Sequence, residues 1–202
     1  MTVHSLLSST DPFFKWSLAS AYSALAFLSA ALFIGPSNIL RNRPNPVSTD
    51  LRRDIGIWAA LLGLFHTIVG LQVHMKGRFW LYFVFSPNED RFLPVRYDLF
   101  GFANYTGLAA TLVLIMLLAL SNDLSLRRLG ARRWKSLQRW NYPCCIFVVL
   151  HGVAYQFIEN RSLWFIGLFG SIVLVAGALQ LAGFRKKRLL KTREPRGASL
   201  AG

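Results

Sequence analysis

The chain has 202 residues, of which 53% are hydrophobic, and its mean hydropathy of +0.39 excludes an ordinary soluble domain. The formal net charge of +14 would suit nucleic-acid binding, but the basic residues cluster between apolar runs, where anionic lipid headgroups account for them. Membrane lipid is therefore an expected partner and nucleic acid is not. The adjacent cysteines Cys144 and Cys145 exclude a disulfide framework and a metal site built on cysteine spacing.

The first apolar run covers residues 16–34 and follows a short polar tail, residues 1–15. The Gly35-Pro36 pair is expected to end this helix, because glycine and proline interrupt regular structure. A cleaved signal peptide is the alternative interpretation. The tail lacks the basic segment with which such peptides begin, and this favours a retained membrane helix.

The second and third apolar runs cover residues 55–73 and 99–120. A loop rich in Pro, Asn and Arg, residues 41–54, precedes the second run. The connection between the two runs, residues 75–98, carries charges of both signs and an aromatic cluster. The members of the cluster are Phe79, Trp80, Tyr82, Phe83 and Phe85. Such side chains are typical of a membrane interface, so we expect the connection to lie there.

The fourth apolar run covers residues 140–158, and a basic loop, residues 126–139, precedes it. A tight turn at residues 159–161 leads into the fifth run, residues 163–184. The remaining segment, residues 185–202, is expected to be a basic and mobile tail. Runs of this length predict helices that cross a membrane.

The pattern as a whole predicts an all-α integral membrane bundle with about five transmembrane helices, in which residues 16–184 form one domain. Five spans place six Lys and Arg residues on the side of the amino end and seventeen on the opposite side. Basic loops stay in the cytoplasm, so this excess predicts an amino terminus outside and a carboxyl terminus inside.

Two histidines, His66 and His151, lie deep within the second and fourth runs. His66 follows Arg53 by thirteen residues, about 20 Å of helix, and His151 follows Arg139 by twelve, about 18 Å. Both helices would run from inside to outside, so the two imidazoles share one level. Ionisable groups at this depth are costly and usually mark function. Because neutral imidazole is a good iron ligand, the pair predicts two axial ligands of one haem.

The surroundings of His66 fit a flat ligand, since Gly63 and Gly70 lie three residues before it and four after it. Small residues on that face would let a porphyrin approach the backbone. The same glycines could instead only pack helices together, and either histidine could only bond a neighbouring helix. The matched depth of the two histidines favours haem over these alternatives.

His74 lies eight residues after His66, near the outer end of the same helix. Tyr155 and Glu159, but no histidine, match its level on the fourth run. We interpret His74 as an interfacial histidine, with a second ligand site or a quinone role as the alternative. His4 lies in the amino-terminal tail and is assigned no role.

Two short signatures accompany these histidines. The first is Arg52-Arg53-x-x-Gly56, followed by His66, and the second is Arg133-Trp134-Lys135-x-Leu137, followed by Tyr142 and Leu150-His151. They span about half the chain, from residue 51 to residue 155. In these residues the chain resembles the ferric-reductase-like transmembrane superfamily. Within it the sequence is most similar to the MsrQ or YedZ family, the haem-binding membrane subunits of a periplasmic methionine sulfoxide reductase system.

The resemblance implies a b-type haem held by His66 and His151, in a protein of the bacterial inner membrane that passes electrons across it. That family commonly has another histidine thirteen residues before position 151, where this chain has Gln138, a poor haem ligand. A second, inner haem is therefore not expected. Arg52 and Arg53 lie near that level and are candidates for contact with an anion or a flavin. FMN or a quinone stays open as a further cofactor, and the chain is expected to lack one amino-terminal helix of that family.

These features together predict a membrane b-type cytochrome that relays single electrons across the bilayer to a partner reductase or acceptor on the outer side. Two imidazoles on one iron leave no site for substrate, which favours electron transfer over bond chemistry. The chain has no dinucleotide-binding or phosphate-binding motif, so it is not a complete NAD(P)H-dependent reductase. Its donor would be a separate flavoprotein, a bound flavin or a quinol. The alternatives are a quinol-linked cytochrome, assisted by His74 or Tyr155, and a haem-free membrane scaffold or transporter.

Overall fold

The structure, a computed structural model, describes residues 11–44, 50–89 and 91–193. Within these ranges the secondary structure is helical, apart from an isolated bridge between Val84 and Val95. The helices are α1 (Pro12–Leu40), α2 (Asp50–Val73), α3 (Leu99–Leu120), α4 (Asp123–Gln138), α5 (Asn141–Ile158) and α6 (Leu163–Arg193), with a 3-10 turn (Phe79–Tyr82) between α2 and α3. Five segments of the described chain are long and apolar enough to span a membrane, α4 and α5 together forming one of them. The predicted all-α five-span bundle is confirmed.

The helices pack so that α1 lies along α2 and α6, while α3 lies along α5 and α2. At one end of the bundle, here called the basic end, Arg53 at the start of α2 pairs with Asp123 of α4. At the opposite end, here called the histidine end, His74 just after α2 contacts Glu159 just after α5. Helices α2 and α5 therefore run parallel, from the basic end to the histidine end.

Helix α1 differs from its prediction at both ends. It begins at Pro12 rather than at residue 16, because the Asp11 carboxylate accepts a hydrogen bond from the backbone N–H of Phe13 at 2.9 Å and caps it. The expectation that Gly35-Pro36 ends the helix is wrong, since α1 continues to Leu40.

The continuation of α1 past Pro36 has a specific cause. Proline has no N–H, so the carbonyl of Leu32, four residues earlier, loses its helical partner. The side-chain nitrogen of Gln180 on α6 donates to that carbonyl at 2.7 Å. Lys186, six residues later on α6, donates its Nζ to the carbonyl of Leu40 at 2.9 Å. A polar group from a neighbouring helix thus allows proline inside a membrane helix, where no water can replace the lost bond.

The predicted basic loop between the third and fourth runs is also wrong, since most of it forms α4. The Asn122 side chain caps this helix by accepting a hydrogen bond from the N–H of Ser125 at 2.8 Å. Trp134 is buried, and its indole N–H donates to the carbonyl of Leu120 at 2.9 Å. Gly130 has φ of 71° and ψ of 154°, which interrupts the helix in its middle. The basic side chains of α4 remain exposed.

The other predicted boundaries also shift. Helix α2 begins at Asp50 rather than residue 55, so Arg52 and Arg53 lie in its first turn instead of in a loop. Helix α6 continues to Arg193, beyond the predicted end at residue 184, so the first part of the predicted basic tail is helical. Residues 194–202 and residues 1–10, with His4, lie outside the described part of the chain.

The aromatic cluster after α2 is divided between surface and interior. Phe79 and Trp80 are exposed, as expected at an interface, whereas Tyr82 and Phe85 are buried. The Tyr82 hydroxyl donates to the carbonyl of Gly70 at 3.0 Å and accepts the backbone N–H of His74 at 3.1 Å. Burial raises the pKa of this phenol, which keeps its O–H as a donor at neutral pH. Tyr82 therefore satisfies backbone groups at the carboxyl end of α2.

Candidate functional site

The structure brings His66 of α2 and His151 of α5 together inside the bundle. Their ring centroids lie 6.0 Å apart, with the ring planes at 77° to each other. Parallel helices with matched sequence depth produce this proximity, since equal numbers of residues climb equal distances along α2 and α5. The two histidines that the sequence predicted to share one level therefore lie beside each other.

Each imidazole is held by a backbone carbonyl from another helix. His66 Nδ1 lies 2.9 Å from the carbonyl oxygen of Ser17 and 3.3 Å from its hydroxyl. His151 Nδ1 lies 2.8 Å from the carbonyl oxygen of Ala103. A carbonyl oxygen only accepts, so each Nδ1 carries the hydrogen and each Nε2 keeps a lone pair. Histidines that bind metals are oriented by this kind of contact.

A cavity of about 370 Å³ contains both rings, a volume within the range of cofactor sites. Helices α1, α2, α3 and α5 supply most of its walls, and most of the lining side chains are apolar. The glycines along it are Gly63, Gly70, Gly107 and Gly152. An apolar cavity with a few polar groups suits a large, flat cofactor.

The glycines of the cavity have different neighbours. A Cβ on Gly107 would lie 2.6 Å from His151 Nδ1, so only glycine lets this ring sit against α3. A Cβ on Gly63 would lie 2.7 Å from Leu114 Cδ1, so Gly63 also packs α2 against α3, the alternative that its sequence left open. A Cβ on Gly70 would make only an ordinary contact, 3.5 Å from Ser17 Oγ.

Three ionisable side chains close the cavity at the histidine end. His74 Nε2 lies 3.2 Å from a carboxylate oxygen of Glu159, and the other oxygen of Glu159 pairs with Arg161. The side chains of His74 and Glu159 are only 9% and 6% exposed. The guanidinium of Arg161 also lies over the ring of Phe14, 4.7 Å from its centroid. His74, at the end of α2 as its sequence position predicted, is therefore enclosed by protein and paired with Glu159.

Tyr155 connects this closed end with the histidine pair. Its ring centroid lies 4.8 Å from that of His151 and 5.8 Å from that of His74, on which it stacks. Its hydroxyl donates to the side-chain oxygen of Asn104 at 3.0 Å. A continuous series of rings therefore runs from His151 to His74.

The geometry of the pair fits two axial ligands of one iron. Metal–imidazole bonds of about 2 Å place two coordinating nitrogens about 4 Å apart, with the ring centroids about 6 Å apart. The observed separation of 6.0 Å agrees with that requirement. With Nδ1 engaged on both rings, Nε2 is the nitrogen that each would offer to a metal.

A smaller cavity of about 90 Å³ lies at the basic end. Arg52, Arg53, Gln138 and Asn141 are among its lining residues, and none of the described histidines lines it. Arg53 pairs with the carboxylates of Asp50 and Asp123, which partly neutralise it. The structure thus places Arg52 and Arg53 beside position 138, as their sequence level predicted.

Sequence reasoning missed Ser17, Ala103 and Gly107. Ser17 and Ala103 act through backbone carbonyls, which leave no side-chain signal. Gly107 had a detectable signal, because it lies one turn from Ala103 and from Thr111 along a face of small residues on α3. Arg161 was also missed as a site residue, since its sequence position predicted only a tight turn between two helices.

Comparisons with known proteins show which family this chain resembles. The model of the family described as ferric reductase like transmembrane component matches residues 19–149, a range that includes His66 and ends two residues before His151. The chain is 29% identical over 155 residues to the protein-methionine-sulfoxide reductase heme-binding subunit MsrQ of Rhodospirillum rubrum. The match covers 75% of this chain and 66% of that protein, just under two thirds of its length. No solved structure matches the chain significantly.

Proposed function

The chain belongs to the ferric reductase like transmembrane family, and from this premise we propose that it is a membrane b-type cytochrome subunit, with residues 16–184 as its haem domain. It holds one haem b between His66 and His151 and relays single electrons across the bilayer. The observation that carries the proposal is the 6.0 Å separation of two imidazoles whose Nδ1 atoms are both engaged by carbonyls. Membership of the family confirms the resemblance seen in the two sequence signatures.

The residues of the cavity have separable tasks in this proposal. His66 and His151 would hold the haem through Nε2, Ser17 and Ala103 fix their tautomers, and Gly107 leaves room for the ring of His151. The apolar walls exclude water from the cofactor. A haem bound there would supply one-electron chemistry, and because both histidines would be its ligands it would relay electrons rather than bind a substrate.

The charge distribution supports an orientation of the bundle, to which we add the direction of electron flow as part of the proposal. We place the basic end in the cytoplasm and the histidine end outside, because seventeen of the 23 Lys and Arg residues belong to the side of the basic end. The donor is a separate flavoprotein or a quinol, and the acceptor is a redox protein on the outer side. The name of the Rhodospirillum relative supports a protein-methionine-sulfoxide reductase as the class of acceptor.

The proposal includes a single haem. The cavity at the basic end, about 90 Å³, is far below the roughly 300 Å³ at which cofactor sites begin. Its lining includes Gln138, and none of its lining residues is a histidine. Arg52 and Arg53 are proposed to meet an anionic group there, such as a flavin phosphate.

The test is a visible spectrum of the purified full-length protein, combined with a pyridine haemochrome assay and quantitative amino-acid analysis. We expect low-spin Soret and α bands and one haem b per chain. A protein that stays colourless after haem supplementation would overturn the proposal in favour of a haem-free scaffold or transporter. A ratio near two would contradict the single site and point to further ligands at one of the two ends.

A further inference from the structure

The ionisable cluster at the histidine end is not needed for haem ligation. His74, Glu159 and Arg161 come from the end of α2 and from the turn after α5. Their side chains are 9%, 6% and 14% exposed, and all three line the same cavity as the histidine pair. Burying three ionisable groups is costly, and their pairing offsets only part of that cost. Their burial beside the histidine pair therefore indicates a function.

Proximity to the ligands makes the cluster sensitive to charge in the cavity. His74 follows His66 by eight residues, which is about 12 Å of helix. A unit charge at that distance, with an effective dielectric constant of about 20, changes the proton affinity of a group about tenfold. An electron that arrives between His66 and His151 therefore acts on the protonation of His74.

We propose that the His74–Glu159 pair is a redox-linked proton-binding site, an inference that rests on the haem of the proposed function. The imidazole of His74 takes up a proton from water on the outer side when an electron from the flavin or quinol donor enters the haem. The carboxylate of Glu159, 3.2 Å from Nε2, stabilises the resulting imidazolium. When the electron leaves to the acceptor, the proton returns to water.

Among the groups at this end of the cavity, His74 is the one whose protonation changes. Tyr155 stacks on its ring and donates its hydroxyl hydrogen to Asn104. Tyr82 donates to the carbonyl of Gly70, and burial raises its pKa, so this phenol also stays neutral. Arg161 opposes a proton on His74, but its charge is offset by the same carboxylate that favours one.

On the side of α3, His74 faces an aromatic ring. The centroid of Phe100 lies 5.6 Å from that of the imidazole. Beyond this ring lies the guanidinium of Arg96, 5.1 Å from the Phe100 centroid and paired with Asp98 at 2.7 Å. The charges on this side thus cancel in a local pair, and the sign of the response is set by Glu159 and the cofactor.

The experiment is a potentiometric titration of the haem in the full-length protein, followed by its visible spectrum between about pH 5 and pH 8, the range in which histidine titrates. Because the reduced state binds the proton more tightly, raising the pH favours the oxidised state and the midpoint potential falls. The expected tenfold difference in proton affinity corresponds to a total fall of about 59 mV for a one-electron couple.

Two variants and one control localise the effect. His74→Gln removes the imidazole and keeps the Glu159–Arg161 pair, and Glu159→Gln removes the carboxylate. Both should keep the haem spectrum and flatten the dependence of midpoint potential on pH. Glu89→Gln is the matched control, since Glu89 pairs with Arg91 in the connection before α3, and its pH dependence should equal that of the wild type.

The outcomes separate this inference from the function beneath it. A wild-type midpoint potential that does not change with pH overturns the inference without any variant. The haem bands recorded in the same titration would still support the proposed cytochrome. If the midpoint potential of His74→Gln depends on pH as strongly as that of the wild type, the inference is also overturned, and a group other than His74 binds the proton. A wild-type protein without haem bands overturns the proposed function and the inference with it.

Discussion

The rings of His66 and His151 lie 6.0 Å apart although 85 residues separate them in the chain. Neither ring is positioned by its own helix alone. His66 is held by a carbonyl of α1 and His151 by a carbonyl of α3, so four helices fix the relative placement of two nitrogens. The protein itself thereby fixes the orientation of both rings, which would reduce the cost of ordering them around a metal.

Replacing either of the two proposed haem ligands should abolish the cofactor site. His66→Ala and His151→Ala should each lose most or all of the bound haem, because one axial nitrogen disappears from an apolar cavity where water is a poor substitute. The measurement is the haem content per chain and the low-spin spectrum of each purified variant.

His74→Ala is the control for these ligand variants. His74 pairs with Glu159 at the end of the cavity, so its loss should leave the low-spin spectrum in place. If His66→Ala kept a full low-spin spectrum while His74→Ala lost it, the assignment would pass to His74.

The close packing of His151 against Gly107 of α3 gives a second prediction. In Gly107→Ala the added methyl would lie 2.6 Å from Nδ1 and 2.8 Å from Cε1 of His151, too close for either ring atom. The imidazole must move away from the carbonyl of Ala103, so we expect a weakened haem site with a several-fold lower haem content. Gly170→Ala on α6 is the matched control, since nothing lies within 4 Å of its Cβ position. Equal haem content in the two variants would contradict this account of Gly107.

The fold could be predicted from hydropathy where the apolar run decides the helix by itself. Helix α3 (Leu99–Leu120) has the predicted bounds. Helix α4 could not be predicted, because its stability depends on the Asn122 cap and on Trp134, whose partner is a backbone carbonyl at the end of α3. Neither contact can be recognised from the amino-acid sequence of this basic stretch, which has few apolar residues.

The candidate site divides in the same way. The spacing of His66 and His151 from the basic residues was enough to predict their shared level, because helix rise is regular. The anchors of the two rings were not predictable, because they are carbonyls whose positions depend on how α1 and α3 pack. Glu159 could be placed at the level of His74, but its burial depends on Arg161 turning back towards Phe14.

The orientation of the bundle gives a third prediction. Reporter fusions after Arg41, Glu89 and Arg128 and at the carboxyl end should report inside, outside, inside and inside. The reason is that the excess of Lys and Arg belongs to the basic end, where α1 ends and α4 lies. A Glu89 fusion that reported inside would invert the bundle and place the His74–Glu159 pair in the cytoplasm.

The hydrogen bond between Gln180 and the carbonyl of Leu32 gives the last prediction. Gln180→Leu should lower the free energy of unfolding by about 1 kcal/mol, because the carbonyl left without a partner by Pro36 then has none in lipid. In a Pro36→Ala background the alanine N–H can bond this carbonyl, so the same Gln180→Leu change should cost clearly less. Reversible unfolding in mixed detergent micelles, with all four proteins of this double-mutant cycle, measures the coupling. Equal costs in the two backgrounds would show that Gln180 does not compensate for the proline.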